Sequence, residues 1–162
     1  MDTPPAAAQR GFTLIELLVS LTLLAILAGA ALPLTQLQAQ RSKEQELRLA
    51  LREIRAGIDA FKQASDEGKI EKAADATGYP KSLRQLVEGA IDKTSPDQKR
   101  IYFLRRIPRD PFFPDANTPA EQTWALRSYA SPPDAPAAGD DVFDVFSLNP
   151  QTGLNGRPYR EW

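Results

Sequence analysis

The segment Arg10-Gly11-Phe12-Thr13-Leu14-Ile15-Glu16 opens an apolar run that ends at Leu34, and Glu16 is the only charge inside that run. A carboxylate held in hydrocarbon costs roughly 2.5 to 3.5 kcal/mol on insertion scales, so it marks a functional position with a partner to be named. The chemistry open to such a group is pairing with a cation. No other part of the chain offers a stronger candidate. There is no Cys and no His, which removes disulfides, thiolate metal sites, imidazole ligands and the usual general base. Catalysis of the Ser-His-Asp or Cys-His kind is therefore excluded. An all-carboxylate active site stays formally open, but no further feature argues for one, and no catalytic or cofactor-binding residue is assigned. Lys plus Arg (20) nearly balances Asp plus Glu (21) for a net charge of -1, so bulk attraction to nucleic acid or anionic lipid is absent.

The element that must position Glu16 is a helix. From Phe12 to Leu34, at about 1.5 Å per residue, it would span roughly 34 Å, against a hydrocarbon core of about 30 Å. A secretory signal has a shorter apolar region, although Ala28-Gly29-Ala30-Ala31 could imitate its cleavage site. The short polar leader and Arg10 directly before the apolar run instead predict a single-pass anchor with a cytoplasmic amino terminus and the rest of the chain on the other side. Glu16 could alternatively snorkel or protonate near the interface. Thr13, Ser20 and Thr22 can bond between helices or to their own backbone. Pro33 lacks a donor and clashes one turn back, which predicts a helix break or kink between about residues 29 and 34.

Beyond Pro33, Leu47, Leu51, Ile54, Ile58 and Phe61 alternate spacings of four and three. That is one apolar stripe on a resumed helix, expected to pack on the chain's own carboxyl-terminal sheet. Arg41, Lys43, Glu44, Glu46, Arg48, Arg52, Glu53 and Arg55 are read as solvated charges on the other faces, with several ion pairs at helical spacing. Gln40 to Lys43 could touch headgroups. Gly68 and Gly78 are expected stop and turn residues, and Ser82 is expected to cap a short helix. Residues 123–130 and 142–147 have strand composition. The Pro-rich stretch between them predicts a hairpin with an irregular tip, and Tyr159 and Trp162 are expected to fold back on the sheet. Pro108, Pro111 and Pro114 enforce an extended path anchored by Phe112 and Phe113. Arg100, Arg105, Arg106 and Arg109 interleave with Tyr102 and Phe103, as in a single-stranded nucleic-acid groove. Asp97, Asp110 and Asp115 offset that charge, and the expectation is a solvated loop.

The leading heptapeptide resembles the class III signal of type IV pilins and type II secretion pseudopilins. Tyr79-Pro80-Lys81-Ser82-Leu83 and the run Leu104-Arg105-Arg106-Ile107-Pro108-Arg109-Asp110-Pro111-Phe112 resemble the head of the major pseudopilin. The resemblance implies an α+β, type IV pilin-like fold, whose long amino-terminal helix has a membrane-spanning first half and packs on a small carboxyl-terminal antiparallel sheet. The implied segments are a leader over 1–11, a transmembrane and assembly half over 12–34, an amphipathic half over 35–65, and a soluble head over 66–162. That head carries a short helix near 83–90 and strands near 123–130 and 142–147. A prepilin peptidase is implied to cut between Gly11 and Phe12 and to methylate the Phe12 amino group. Glu16 would then neutralise a Phe12 amino terminus during assembly, and Pro33 matches a region where the family loses helicity.

The implied function is a structural subunit, extracted from the inner membrane into a periplasmic filament that drives type II secretion. Its implied partners are other copies, minor pseudopilins, prepilin peptidase, the inner-membrane assembly platform and lipid, with no nucleic acid. Alternatives are a type IV pilin of a surface filament for adhesion, motility or DNA uptake, and a monomeric membrane-anchored binding domain in which Glu16 would be dispensable. Major pseudopilins usually carry a calcium loop, and Val145-Phe146-Ser147-Leu148-Asn149-Pro150 matches its entry. The acids that should follow are replaced by Gln151-Thr152-Gly153-Leu154-Asn155-Gly156-Arg157. Calcium takes six to eight oxygen ligands, usually several carboxylates, so Ser147, Asn149 and Asn155 would make only a weak site. Asp134, Asp140, Asp141 and Asp144 are read as a solvated acidic tip. The expectation is no tight calcium and no cofactor, with the Asn/Gly turn and Tyr159–Trp162 packing closing the loop.

Overall fold

A computed structural model describes residues 11–162; Met1 to Arg10 of the leader, and the side chains of residues 30–34, fall outside the described set. The chain divides into two compact units, one ending at Gln40 and the other Arg41–Trp162. Helix α1 covers Leu14–Asp66. Its start is set by Thr13, whose Oγ1 accepts a hydrogen bond from the Glu16 amide (3.3 Å) while its carbonyl accepts from the Leu17 amide (3.1 Å). That is an N-cap satisfying donors a helix end leaves open. Ser20 donates to the Glu16 carbonyl (2.7 Å) and Thr22 to the Leu18 carbonyl (2.8 Å), so both hydroxyls bond their own helix. The helical assignment runs without interruption through residue 33, so of the two outcomes expected at Pro33, a break or a kink, the break is corrected. Losing one donor costs about 3 kcal/mol but does not end a helix flanked by strong formers such as Ala30, Ala31 and Leu32.

In the second unit the predicted stripe is the core. Leu47, Leu51, Ile54, Ile58 and Phe61 are buried with Ile70, Leu83, Leu86, Leu104, Trp124, Val142, Val145 and Tyr159. Gly57 faces the Leu104 side chain so closely that a Cβ there would lie 2.9 Å from Leu104 Cγ. This lets the chain after β2 reach the helix backbone. The helix ends in a left-handed Gly68 (φ 71°), with Lys69 donating back to the Ala64 carbonyl at 2.9 Å, a common helix stop.

Helix α2, Leu83–Glu88, buries Leu83 and Leu86. Ser82 sits at its N-cap without a side-chain hydrogen bond, correcting the expected cap. Gln85 reaches back instead, its Oε1 accepting from the Lys81 amide at 2.9 Å. A small hairpin that sequence reading missed follows: β1 (Ala90–Ile91) pairs antiparallel with β2 (Arg100–Ile101). The main pair is β3 (Trp124–Arg127) and β4 (Asp144–Ser147), antiparallel with Trp124 opposite Ser147 and Arg127 opposite Asp144. Both are shorter than their predicted ranges, because Thr123 closes a 3-10 turn over Ala120–Thr123 and Ser128 bonds the Ala137 carbonyl. The architecture is α+β, a long amino-terminal helix on small antiparallel sheets.

Gly89 ends α2 at φ 71°, and a Cβ there would lie 2.4 Å from the Ile101 carbonyl oxygen. Gly89→Ala is therefore expected to lower unfolding free energy by about 1 to 3 kcal/mol through left-handed strain and displacement of β2. Urea titration checks this, and an unchanged midpoint would contradict it. At the surface, the Arg84 guanidinium bonds Glu121 and holds its carboxyl below the usual range, and Lys62 does the same to Asp66. Such exposed pairs add little stability.

Candidate processing and assembly site

Gly11, Phe12 and Thr13 precede the first helical residue and are exposed, and nothing lies within 4 Å of where a Gly11 side chain would begin. Phe12 is 83% exposed. The Gly11–Phe12 peptide bond thus lies outside the helix between exposed residues, open to a protease among the described residues. One turn into α1 stands Glu16, also exposed, whose carboxylate has no hydrogen-bond or ion-pair partner among the described residues. Its place in the first turn suits a negative charge, since the helix dipole is positive at that end.

The helix that carries Glu16 is apolar on every side. Leu14, Ile15, Leu17, Leu18, Val19, Leu21, Leu23, Leu24, Ile26 and Leu27 are all exposed, so apolar side chains stand exposed on every face of the segment. A helix hydrophobic all round requires burial in lipid or among other helices. Among the described residues no helix is long and apolar enough to cross a membrane; the described apolar side chains stop at Gly29, where the sequence run continues to Leu34. Chemically, the segment presents a peptide bond for cleavage and an unpaired anion one turn away.

The other sequence-singled residues lie in the head and do not join this site. Ser147 donates to Asp110 Oδ2 at 2.6 Å. Asn149 Oδ1 accepts from the Gln151 amide (2.8 Å) and Asn155 Oδ1 from the Arg157 amide (3.0 Å). Each weak metal candidate is therefore a turn-forming residue, and no group of acids that could hold a metal occurs among the described residues. The acidic tip is corrected in part. Asp134 and Asp140 are exposed, but Asp144 binds Arg55 Nε at 2.7 Å and Asp141 accepts from the Tyr129 amide at 2.8 Å. The arginine cluster is likewise not uniformly solvated. Arg109 donates to the Thr118 and Asp115 carbonyls, and Arg100 to the Glu88 carbonyl (2.9 Å). Phe103 packs edge-on against Phe61, 5.0 Å between centroids, so it offers no platform for a base.

Among the described residues, three carboxylates are buried that sequence reading placed in solvent or in a local turn: Asp141 at the acidic tip, Glu44 and Asp110. Glu44, read as solvated, is 5% exposed, and Asp110, read as a turn residue, is 1% exposed. For Glu44 the signal was present: it lies three residues before Leu47 and so continues the stripe.

Residues 7–32 match the family model described as the prokaryotic N-terminal methylation motif. The chain is similar to the type II secretion system core protein G of Klebsiella michiganensis, 31% identical over 110 residues that span 65% of this chain and 69% of that protein. It is also similar to the protein of the same name from Dickeya chrysanthemi, 28% identical over 110 residues, spanning 64% of this chain and 63% of that one. No solved structure matches the chain significantly. An accessible Gly–Phe bond inside a methylation motif, an apolar helix with one acid, an α+β head and this likeness together place the chain in the type II secretion system core protein G family, the pseudopilins.

Proposed function

We propose that this chain waits in the inner membrane with a cytoplasmic amino terminus, loses residues 1–11 to a prepilin peptidase, is methylated on the Phe12 nitrogen, and then polymerises through α1 into a periplasmic filament of type II secretion. The observation that carries this reading is the uncovered apolar helix with one unpartnered carboxylate, Glu16. A new ammonium at Phe12 of one copy and the Glu16 carboxylate of another are each costly in hydrocarbon, and pairing recovers much of that cost when the geometry is good. A single copy carries the penalty alone, and two in register share it. Glu16 then sets the axial stagger, as buried polar groups fix register in coiled coils. The filament joins copies of the chain and minor pseudopilins at the assembly platform. The relatives' printed name, core protein of a secretion system, supports a structural rather than a catalytic role.

Two measurements test it. Intact mass of the membrane-extracted protein is expected to match a chain that starts at Phe12 and carries one extra methyl group; a mature start elsewhere would overturn the processing step. Deletion of the gene is expected to empty the culture supernatant of exoproteins and leave them in the periplasm. An intact secretome with a surface filament lost would make the chain a type IV pilin instead.

A further inference from the structure

We infer that the carboxyl-terminal loop, residues 148–158, is closed by the buried Glu44 carboxylate in place of the calcium ion that family resemblance implies. The inference rests on the pseudopilin reading only for the expectation of calcium, since the closure itself is internal to the head.

The polarity of the loop decides the matter. A calcium loop turns lone pairs inward, from carboxylates and carbonyls, to surround a cation at six to eight oxygens. This loop turns donors inward. Glu44 Oε1 accepts from the Leu154 amide at 2.7 Å and from the Tyr159 hydroxyl at 3.0 Å. One helix carboxylate therefore gathers the loop at Leu154 and the residue that follows the loop, Tyr159, much as a cation gathers oxygens. The side-chain oxygens best placed to ligate, on Ser147, Asn149 and Asn155, already serve Asp110, Gln151 and Arg157. Above the turn, Trp162 lies where a Gly153 side chain would be, 2.4 Å from that Cβ position to Cζ2, and an indole face gives a hard cation no ligand. Backbone bonds complete the closure, Gly153 to the Arg157 carbonyl (2.9 Å) and Tyr159 to the Gln151 carbonyl (3.1 Å). The donor set does not fit calcium.

The test is thermal melting of the full mature chain in detergent, with millimolar calcium or with a chelator, magnesium serving as the ionic control. The two wild-type curves are expected to coincide. Glu44→Leu is expected to lower Tm by about 5 to 10 °C and to open the bond after the buried Tyr159 to chymotrypsin. Tyr159→Phe, which removes one donor and keeps the ring, is expected to give a smaller drop in the same direction and decides the matter if Glu44→Leu does not accumulate. A calcium-specific rise of more than about 5 °C in wild-type Tm, or variants that melt with wild type, would overturn the inference. Neither result bears on cleavage at Phe12 or on filament growth, which stand or fall by mass and secretome.

Discussion

Glu16→Ala is expected to abolish filament assembly while leaving cleavage at Gly11–Phe12 intact. Removing one partner of a buried ion pair costs about 3 to 5 kcal/mol, and each 1.4 kcal/mol is about tenfold in an association constant. Each subunit contact should therefore weaken by more than about a hundredfold, multiplied along a polymer. The substitution is not expected to act by unfolding the chain, because the exposed Glu16 side chain has no hydrogen-bond or ion-pair partner among the described residues and the cap at Thr13 uses only the Glu16 amide. Sedimentable or cross-linked polymer is the readout, with mature mass as control. Glu16→Gln separates charge from hydrogen bonding and is expected to fail nearly as badly. Normal polymer from Glu16→Ala would overturn the Phe12–Glu16 pair as the basis of assembly, and absence of polymer from the unsubstituted chain would leave a monomeric anchored domain.

Asp110→Ala should be the most damaging change in the head. Asp110 Oδ2 accepts from the Ser147 hydroxyl at 2.6 Å and Oδ1 from the Phe112 amide at 2.8 Å, while its own amide donates to Thr123 Oγ1 at 3.1 Å. The buried side chain thus joins β4 to the Pro111 turn, while the backbone amide, which truncation leaves in place, holds the 3-10 turn before β3. Truncation strips the partner from a buried hydroxyl and a half-buried amide, and hydrogen bonds to a charged group are worth about 1.5 to 3 kcal/mol each. The expected loss is about 3 to 5 kcal/mol, or roughly 10 to 20 °C in Tm, measured by denaturant and thermal unfolding. Asp110→Asn, which keeps one acceptor, should lose less. A loss below about 1 kcal/mol would show that water replaces the carboxylate and that the network is not buried in solution.

The features most legible in sequence were those fixed by periodicity. The four-three stripe from Leu47 to Phe61 named the core face of α1, and the apolar run with its acid named the candidate site, because both signals are one-dimensional. The α+β class came from the resemblance of the leading heptapeptide and the head motifs to pseudopilins, with which the helix and the strand composition after residue 120 agree. What sequence reading missed depends on contacts distant along the chain. β1 and β2 are two residues each, too short to carry a period, and they form because Gly89 turns under Ile101. Glu44 and Asp110 were read by residue type as solvated or local, although one continues the stripe and the other precedes a proline. Their burial is decided by Leu154, Tyr159 and Ser147, far away in sequence. At Pro33 the local rule named a break or a kink, and only the break is corrected by the continuous helical assignment.

The evenly apolar surface of α1 before residue 30 has a mechanical corollary. A cylinder greased on all sides has no preferred azimuth against similar cylinders, so packing gives little resistance to rotation or sliding, and a single point charge per copy must supply the detent. In the assembly proposed above, neighbouring copies held in this way would turn about one another more readily than they would separate.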